Sequence, residues 1–120
     1  MKLAWVTDIH LNFLEFADRK RFYQDIVAIK SNAVLVSGDI AEAPTVSDIL
    51  EEMAQHIAKP IYFVLGNHDY YQSSVENVRQ KVNQLSQENL SVNWLPETGF
   101  VKLTSSHKIG LLVIRKVWQN

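Results

Sequence analysis

A chain of 120 residues is long enough to bury one hydrophobic core and short for two. Its 47% hydrophobic and 21% charged residues, with four Gly and three Pro, exclude collagen-like, low-complexity and disordered classes. Twelve Lys and Arg against thirteen Asp and Glu leave a formal charge of -1, so no basic field gathers nucleic acid, and the absence of Cys removes disulfides, zinc-thiolate sites and a thiol nucleophile.

The first element is "KLAWVTD", a short apolar run of strand-forming residues that closes on Asp8 and reads as a buried strand entering a loop. Asp8 and His10 interrupt it before a signal-peptide core develops, and no later run is long enough to span a membrane. A cytoplasmic protein, folded as a single domain over residues 1–120, is the expectation. From Asp18 to Lys30 the positions Phe22, Ile26 and Ile29 recur at three and four residues, with "DRKR" turned to solvent, which predicts an amphipathic helix. "NAVLVSGD" is a second apolar run ending in an acid, at Asp39.

Thr45 with Asp48 three residues on is a capping-box signature for a helix whose apolar face is Ile49, Leu50, Met53 and Ile57, and Pro60 ends it. His56, beside Ile57, is read as a surface residue. "PIYFVLGNHD" is the third apolar run to finish in polar residues, and Ser73 with Glu76 caps a helix striped by Val75, Val78, Val82 and Leu85. Past Asn89 the helical period is lost, and short β-prone runs around Pro96, Gly99 and Gly110 predict a strand followed by a hairpin, with His107 at the turn. Trp5, Trp94 and Trp118 are expected as core or interface aromatics, and Tyr70 and Tyr71 as packing for their loop, with the lining of a substrate cleft as the alternative.

Strands alternating with helices predict an α/β fold, a layered sandwich in which a mostly parallel sheet is flanked by helices on both faces. Residues just past the carboxyl ends of parallel strands share one edge of the sheet, where open α/β folds hold ligands. Asp8 and His10, Asp39, and Asn67 with His68 all fall there. Singly, each has an ordinary reading, since Asp and Asn favour turns and a lone loop His is usually solvated. Together they bring carboxylate, imidazole and amide oxygen to three successive strand ends. Such a mixed nitrogen and oxygen set suits Mn, Fe or Zn, and gathered acids repel one another unless cations neutralise them.

The ordered motifs Asp-x-His, Gly-Asp-x-x-Glu and Gly-Asn-His-Asp, each after a β-run, resemble the calcineurin-like metallophosphoesterase family over residues 1 to 70. The resemblance implies hydrolysis of a phosphate ester at two divalent metal ions. Asp8 and His10 would ligate the first ion, Asp39 would bridge both, and Asn67 would bind the second. His68 would face the substrate instead of ligating, hydrogen-bonding the phosphoryl group or protonating the departing oxygen as general acid. In the family an acid orients this imidazole; here that position is Glu42, with Asp69 as the other candidate.

The family pattern continues with a further single His and a late Gly-His-x-His, and neither is found in this sequence. The resemblance therefore implies a partial metallophosphoesterase fold, the N-terminal portion of a domain, carrying half of a metal site and exposing sheet surface through which copies would self-associate. The alternative is a non-catalytic interaction module that keeps the fold, against which the joint presence of Asp8, His10, Asp39, Asn67 and His68 speaks. A magnesium-using, phosphate-receiving signalling domain would need Asp8 and Asp39 but neither imidazole.

Overall fold

Strand-forming residues in runs of three to five, each bounded by turn-forming residues, give four short strands: β1 (Leu3–Val6), β2 (Ala33–Ser37), β3 (Ile61–Val64) and β4 (Val92–Trp94). In the computed structural model, which describes residues 2–98, 101–102 and 108–109, they form one parallel sheet in the order β1-β2-β3-β4. The register sets Ala4, Val34, Ile61 and Val92 in one row and Val6, Val36, Phe63 and Trp94 in the next. Both rows belong to the buried cluster or pack against it.

The intervening helices are α1 (Phe16–Ala28), α2 (Val46–Ile57) and α3 (Val75–Glu88), followed by the single turn α4 (Leu95–Thr98). Tyr23 and Ile26 of α1, Leu50, Met53 and Ile57 of α2, and Val78, Val82 and Leu85 of α3 all join the same core as the two strand rows. Val75, expected in the α3 stripe, is exposed at the first position of the helix. β5 (Val101–Lys102) and β6 (Lys108–Ile109) pair antiparallel, as expected of a hairpin; its turn, with His107, and Trp118 lie outside the described residues.

A sheet flanked by helices is what forms, but the expectation of helices on both faces is corrected. Strand order runs in one direction without reversal, and crossovers of one handedness then lay every helix on the same face. Among the described residues the opposite face keeps Leu3 and Trp5 exposed, beside half-buried Leu35, Tyr62 and Val64. Trp5 is therefore not a core residue; its indole donates to the Ser37 hydroxyl of the neighbouring strand at 2.8 Å. Trp94, on the helical side, is buried.

Two helix starts also differ from the sequence reading. The Thr45 backbone is not in the extended form that a side-chain cap requires, and its hydroxyl donates back to the Glu42 carbonyl at 3.3 Å. At α3 the cap is Ser74, which accepts from the Asn77 amide at 3.1 Å, because Ser73 is drawn into the preceding turn by its bond to the Tyr70 carbonyl. Pro60 does follow the end of α2, which closes on Ala58 in left-handed conformation.

A polar network fastens α1 to α2. Arg19 grips Glu52 with two guanidinium nitrogens at 2.7 and 3.1 Å, and the Tyr23 hydroxyl donates to the same carboxylate at 2.7 Å. His56 is half-buried beside Phe16 and Tyr23, its Nδ1 3.0 Å from the Glu52 carbonyl, so it is not the surface residue expected. The Arg19 bonds hold Glu52 below the ordinary glutamate range against the opposing effect of burial, with the Tyr23 hydroxyl adding to the lowering. A depressed folded-state pKa contributes stability that is present above the unfolded value and lost as pH falls through the folded one. Glu52→Gln should therefore lower stability near neutral pH by about 1–2 kcal/mol, the scale of a partly exposed charged hydrogen-bond pair. Denaturant titrations should show the difference from wild type shrinking as pH drops below the ordinary glutamate range; a gap independent of pH would contradict the assignment.

Candidate metal centre

The loops leaving β1, β2 and β3 are stitched side by side by the backbone. The Asp8, His10 and Leu11 amides donate to the Gly38, Asp39 and Ile40 carbonyls at 3.1, 3.1 and 2.8 Å, which carries strand-like pairing past the end of the sheet. Asp8, His10 and Asp39 all sit at positive φ, at 53, 44 and 51°. That conformation is uncommon for residues other than glycine, and Asp and His tolerate it better than most. Three candidate ligands in this conformation at one sheet edge is the pattern of local strain held in place for a site.

The third loop closes on the second through two glycines. Gly38, at φ 102°, lies so close to Gly66 that a Cβ on it would fall 3.1 Å from the Gly66 nitrogen. A Cβ on Gly66 would fall 2.6 Å from the Asp39 nitrogen and 2.8 Å from its Cγ, and closer still to Oδ1. The space thus kept free lets Asp39 Oδ1 accept from the His68 amide at 2.9 Å.

Asp69 supplies the clamp beneath. It is wholly buried, and its Oδ1 accepts from the Ile40 and Ala41 amides at 2.8 and 2.9 Å while Oδ2 accepts from Gly66 at 2.8 Å. Burial pushes its pKa up, partly offset by those three donors.

The result brings His10, Asp39 and His68 together, each offering a ligand atom within 4.8 Å of the others. The two imidazoles meet edge to face at 4.9 Å between centroids. His68 Nδ1 lies 3.3 Å from Asp39 Oδ2, yet it is buried without a hydrogen bond of good geometry. Asp8 is exposed at the rim, its carboxylate accepting a 2.7 Å bond from the Thr7 hydroxyl. Asn67 is exposed at the start of the turn that carries His68. Burial raises the pKa of Asp39, but the His68 amide and the Asp8 and His68 side chains outweigh it and the net shift is downward. Asp39 therefore stays ionised where ordinary carboxylates begin to protonate.

Neither acid expected to orient His68 touches its ring. Glu42 accepts from the Gln72 side chain and its carbonyl takes the Thr45 and Val46 amides, while Asp69 is committed to backbone. The carboxylate beside His68 Nδ1 is Asp39. Sequence reading missed this and the close approach at Gly66, for which the Gly preceding Asn67 was the available signal.

The donor set fits a borderline divalent cation: the His10 imidazole and the Asp39 carboxylate, with the Asp8 carboxyl at the rim and the His68 imidazole alongside. No curated protein gives a significant match to the chain. A family model for calcineurin-like phosphoesterases matches residues 1–116, nearly the whole sequence and all three strand-end motifs. With that match added to the parallel sheet and the clustered ligands, the chain belongs to the calcineurin-like phosphoesterase family.

Proposed function

We propose that the chain is a metal-dependent phosphoesterase that hydrolyses phosphate mono- or diesters at a pair of Mn, Fe or Zn ions, within one domain and in the cytoplasm. The observation that carries this reading is the convergence of His10, Asp39 and His68 within 4.8 Å at the ends of successive parallel strands. Asp8, His10, Asp39 and Asn67 would hold the cations. Bound cations would supply charge neutralisation of the phosphoryl oxygens and an acidified water.

The chain's own residues take the remaining roles. With Nδ1 of His68 facing Asp39, its Nε2 is the nitrogen free to donate a proton to the departing alcohol oxygen. Asp39 positions that ring through two contacts, its Oδ1 to the His68 amide and its Oδ2 beside Nδ1. Glu42 and Asp69 then act on the reaction through the loops they hold.

Calorimetric titration of the metal-free chain with Mn²⁺ tests the reading. Wild type should bind Mn²⁺, and Asp39→Asn should weaken binding by about 100-fold or more, since even loss of an outer-shell partner costs about 10- to 100-fold. A folded wild type that binds no Mn²⁺ would overturn it in favour of a non-catalytic interaction module.

A further inference from the structure

Two aromatic rings beside the centre are left uncovered. Phe13 ends the short turn Leu11–Phe13 that follows His10; it is 72% exposed, and its ring lies 6.0 Å from the His10 ring. Tyr71 follows the turn Asn67–Tyr70; it is 49% exposed, and its ring lies 4.6 Å from His68. With the imidazoles 4.9 Å apart, each of the two histidine rings has one exposed carbocycle as its neighbour, Phe13 beside His10 and Tyr71 beside His68.

Core packing does not account for these two carbocycles. In the first loop the apolar anchor is Leu11, which is buried, and in the third it is Tyr70, which packs against the core. Sequence reading put loop packing ahead of a substrate cleft for both Tyr70 and Tyr71; Tyr70 packs against the core, whereas Tyr71 is half exposed beside His68. Single exposed apolar residues are ordinary, but two rings presented from different loops to one polar cluster form a surface suited to a flat ligand.

We propose that the site selects phosphate esters whose alcohol portion carries a planar aromatic ring, either an aryl group on the ester oxygen or a nucleobase one sugar away, stacked on Phe13 or Tyr71. This rests on the phosphoesterase reading and adds a substrate class to it. The phosphoryl group would lie among His10, Asp39 and His68, with Phe13 6.0 Å from the first imidazole and Tyr71 4.6 Å from the second. A polyol or sugar phosphate would leave both carbocycles in water and gain nothing from them.

The test is calorimetric titration of the Mn²⁺-loaded chain with inorganic phosphate, methylphosphonate, phenylphosphonate and the phosphonate analogue of adenosine monophosphate, whose P–C bonds hydrolysis does not cleave. One of the two aromatic probes should bind at least about tenfold tighter than methylphosphonate, the scale of one ring stacking on one side chain. Which of the two is preferred distinguishes the aryl from the nucleoside source. In a Phe13→Ala, Tyr71→Ala double variant the ratio of aromatic to methyl affinity should collapse towards one. Equal binding of all phosphonates, with inorganic phosphate still bound, would overturn this inference and leave the phosphoesterase reading standing. Failure of inorganic phosphate itself to bind would overturn both.

Discussion

Gly66→Ala should disable the metal centre while leaving every candidate ligand in place. Gly66 has φ of -107°, which any residue adopts, so conformational freedom is not what the position demands. The demand is space: a Cβ would fall 2.6 Å from the Asp39 nitrogen, closer than real Cβ atoms come to a backbone atom, and it would press on the Asp39 carboxylate as well. Backbone cannot yield as the tip of a flexible side chain can. Asp39 is also fixed from three sides, by its positive φ, by its carbonyl's bond to the His10 amide, and by its carboxylate's bond to the His68 amide.

Relief must therefore come from separating the second and third loops. Overpacking of this kind costs about 1–3 kcal/mol, and a displacement near 1 Å at a positioned group costs about 100-fold in what it does. The expected result is a folded protein with unfolding midpoint modestly reduced and Mn²⁺ affinity lower by about 100-fold. Gly38→Ala separates the causes, since its φ of 102° adds about 1–2 kcal/mol of left-handed strain to a milder 3.1 Å contact. It should lose more stability for each unit of metal affinity lost. Wild-type Mn²⁺ affinity in Gly66→Ala would refute the steric account.

How much of this the sequence could reveal depended on which interactions are local. Strands and helices were legible because the apolar spacing of Ile49, Leu50, Met53 and Ile57, or of Val78, Val82 and Leu85, sits within a few turns of chain. The strand-end residues were legible because topology alone carries them to one edge. The resemblance implied exposed sheet surface, but that one whole face, the one carrying Trp5, stays free of helices was not legible, because alternation of strands and helices does not state the strand order, and only the order decides which face the helices cover. Roles within the site were hardest. Glu42 and Asp69 were suited by charge to orient His68, but which acid reaches the ring depends on contacts 29 residues apart, where Asp39 lies beside Nδ1 and Asp69 turns to the backbone.

Asp69→Ala should be the most destabilising single change at the centre. The side chain is wholly buried and satisfies three backbone amides, at Ile40, Ala41 and Gly66, which belong to two loops that no strand pairing joins at this point. Truncation leaves those three donors facing a void where water must be admitted or the loops must part. A buried donor without a partner costs about 1–3 kcal/mol, so three together are worth about 3–9 kcal/mol, a large share of the roughly 5–15 kcal/mol that holds a domain folded. Asp69→Asn is the discriminating partner. Its amide oxygen can keep the Ile40 and Ala41 bonds, but its NH₂ then meets the Gly66 N–H, donor against donor. Denaturant midpoints should fall in the order wild type, Asn, Ala. The Asn variant should lose about half as much as Ala, because two of the three amides keep their acceptor and the third faces a second donor in its place. Metal affinity of the Asn variant, measured where it remains folded, should fall less than in Gly66→Ala, because the Asp39 carboxylate itself is not displaced by a new atom. An Ala variant unfolding at the wild-type midpoint would show that the loops are held by their other contacts, such as the His68 amide on Asp39, and that Asp69 contributes nothing to the clamp.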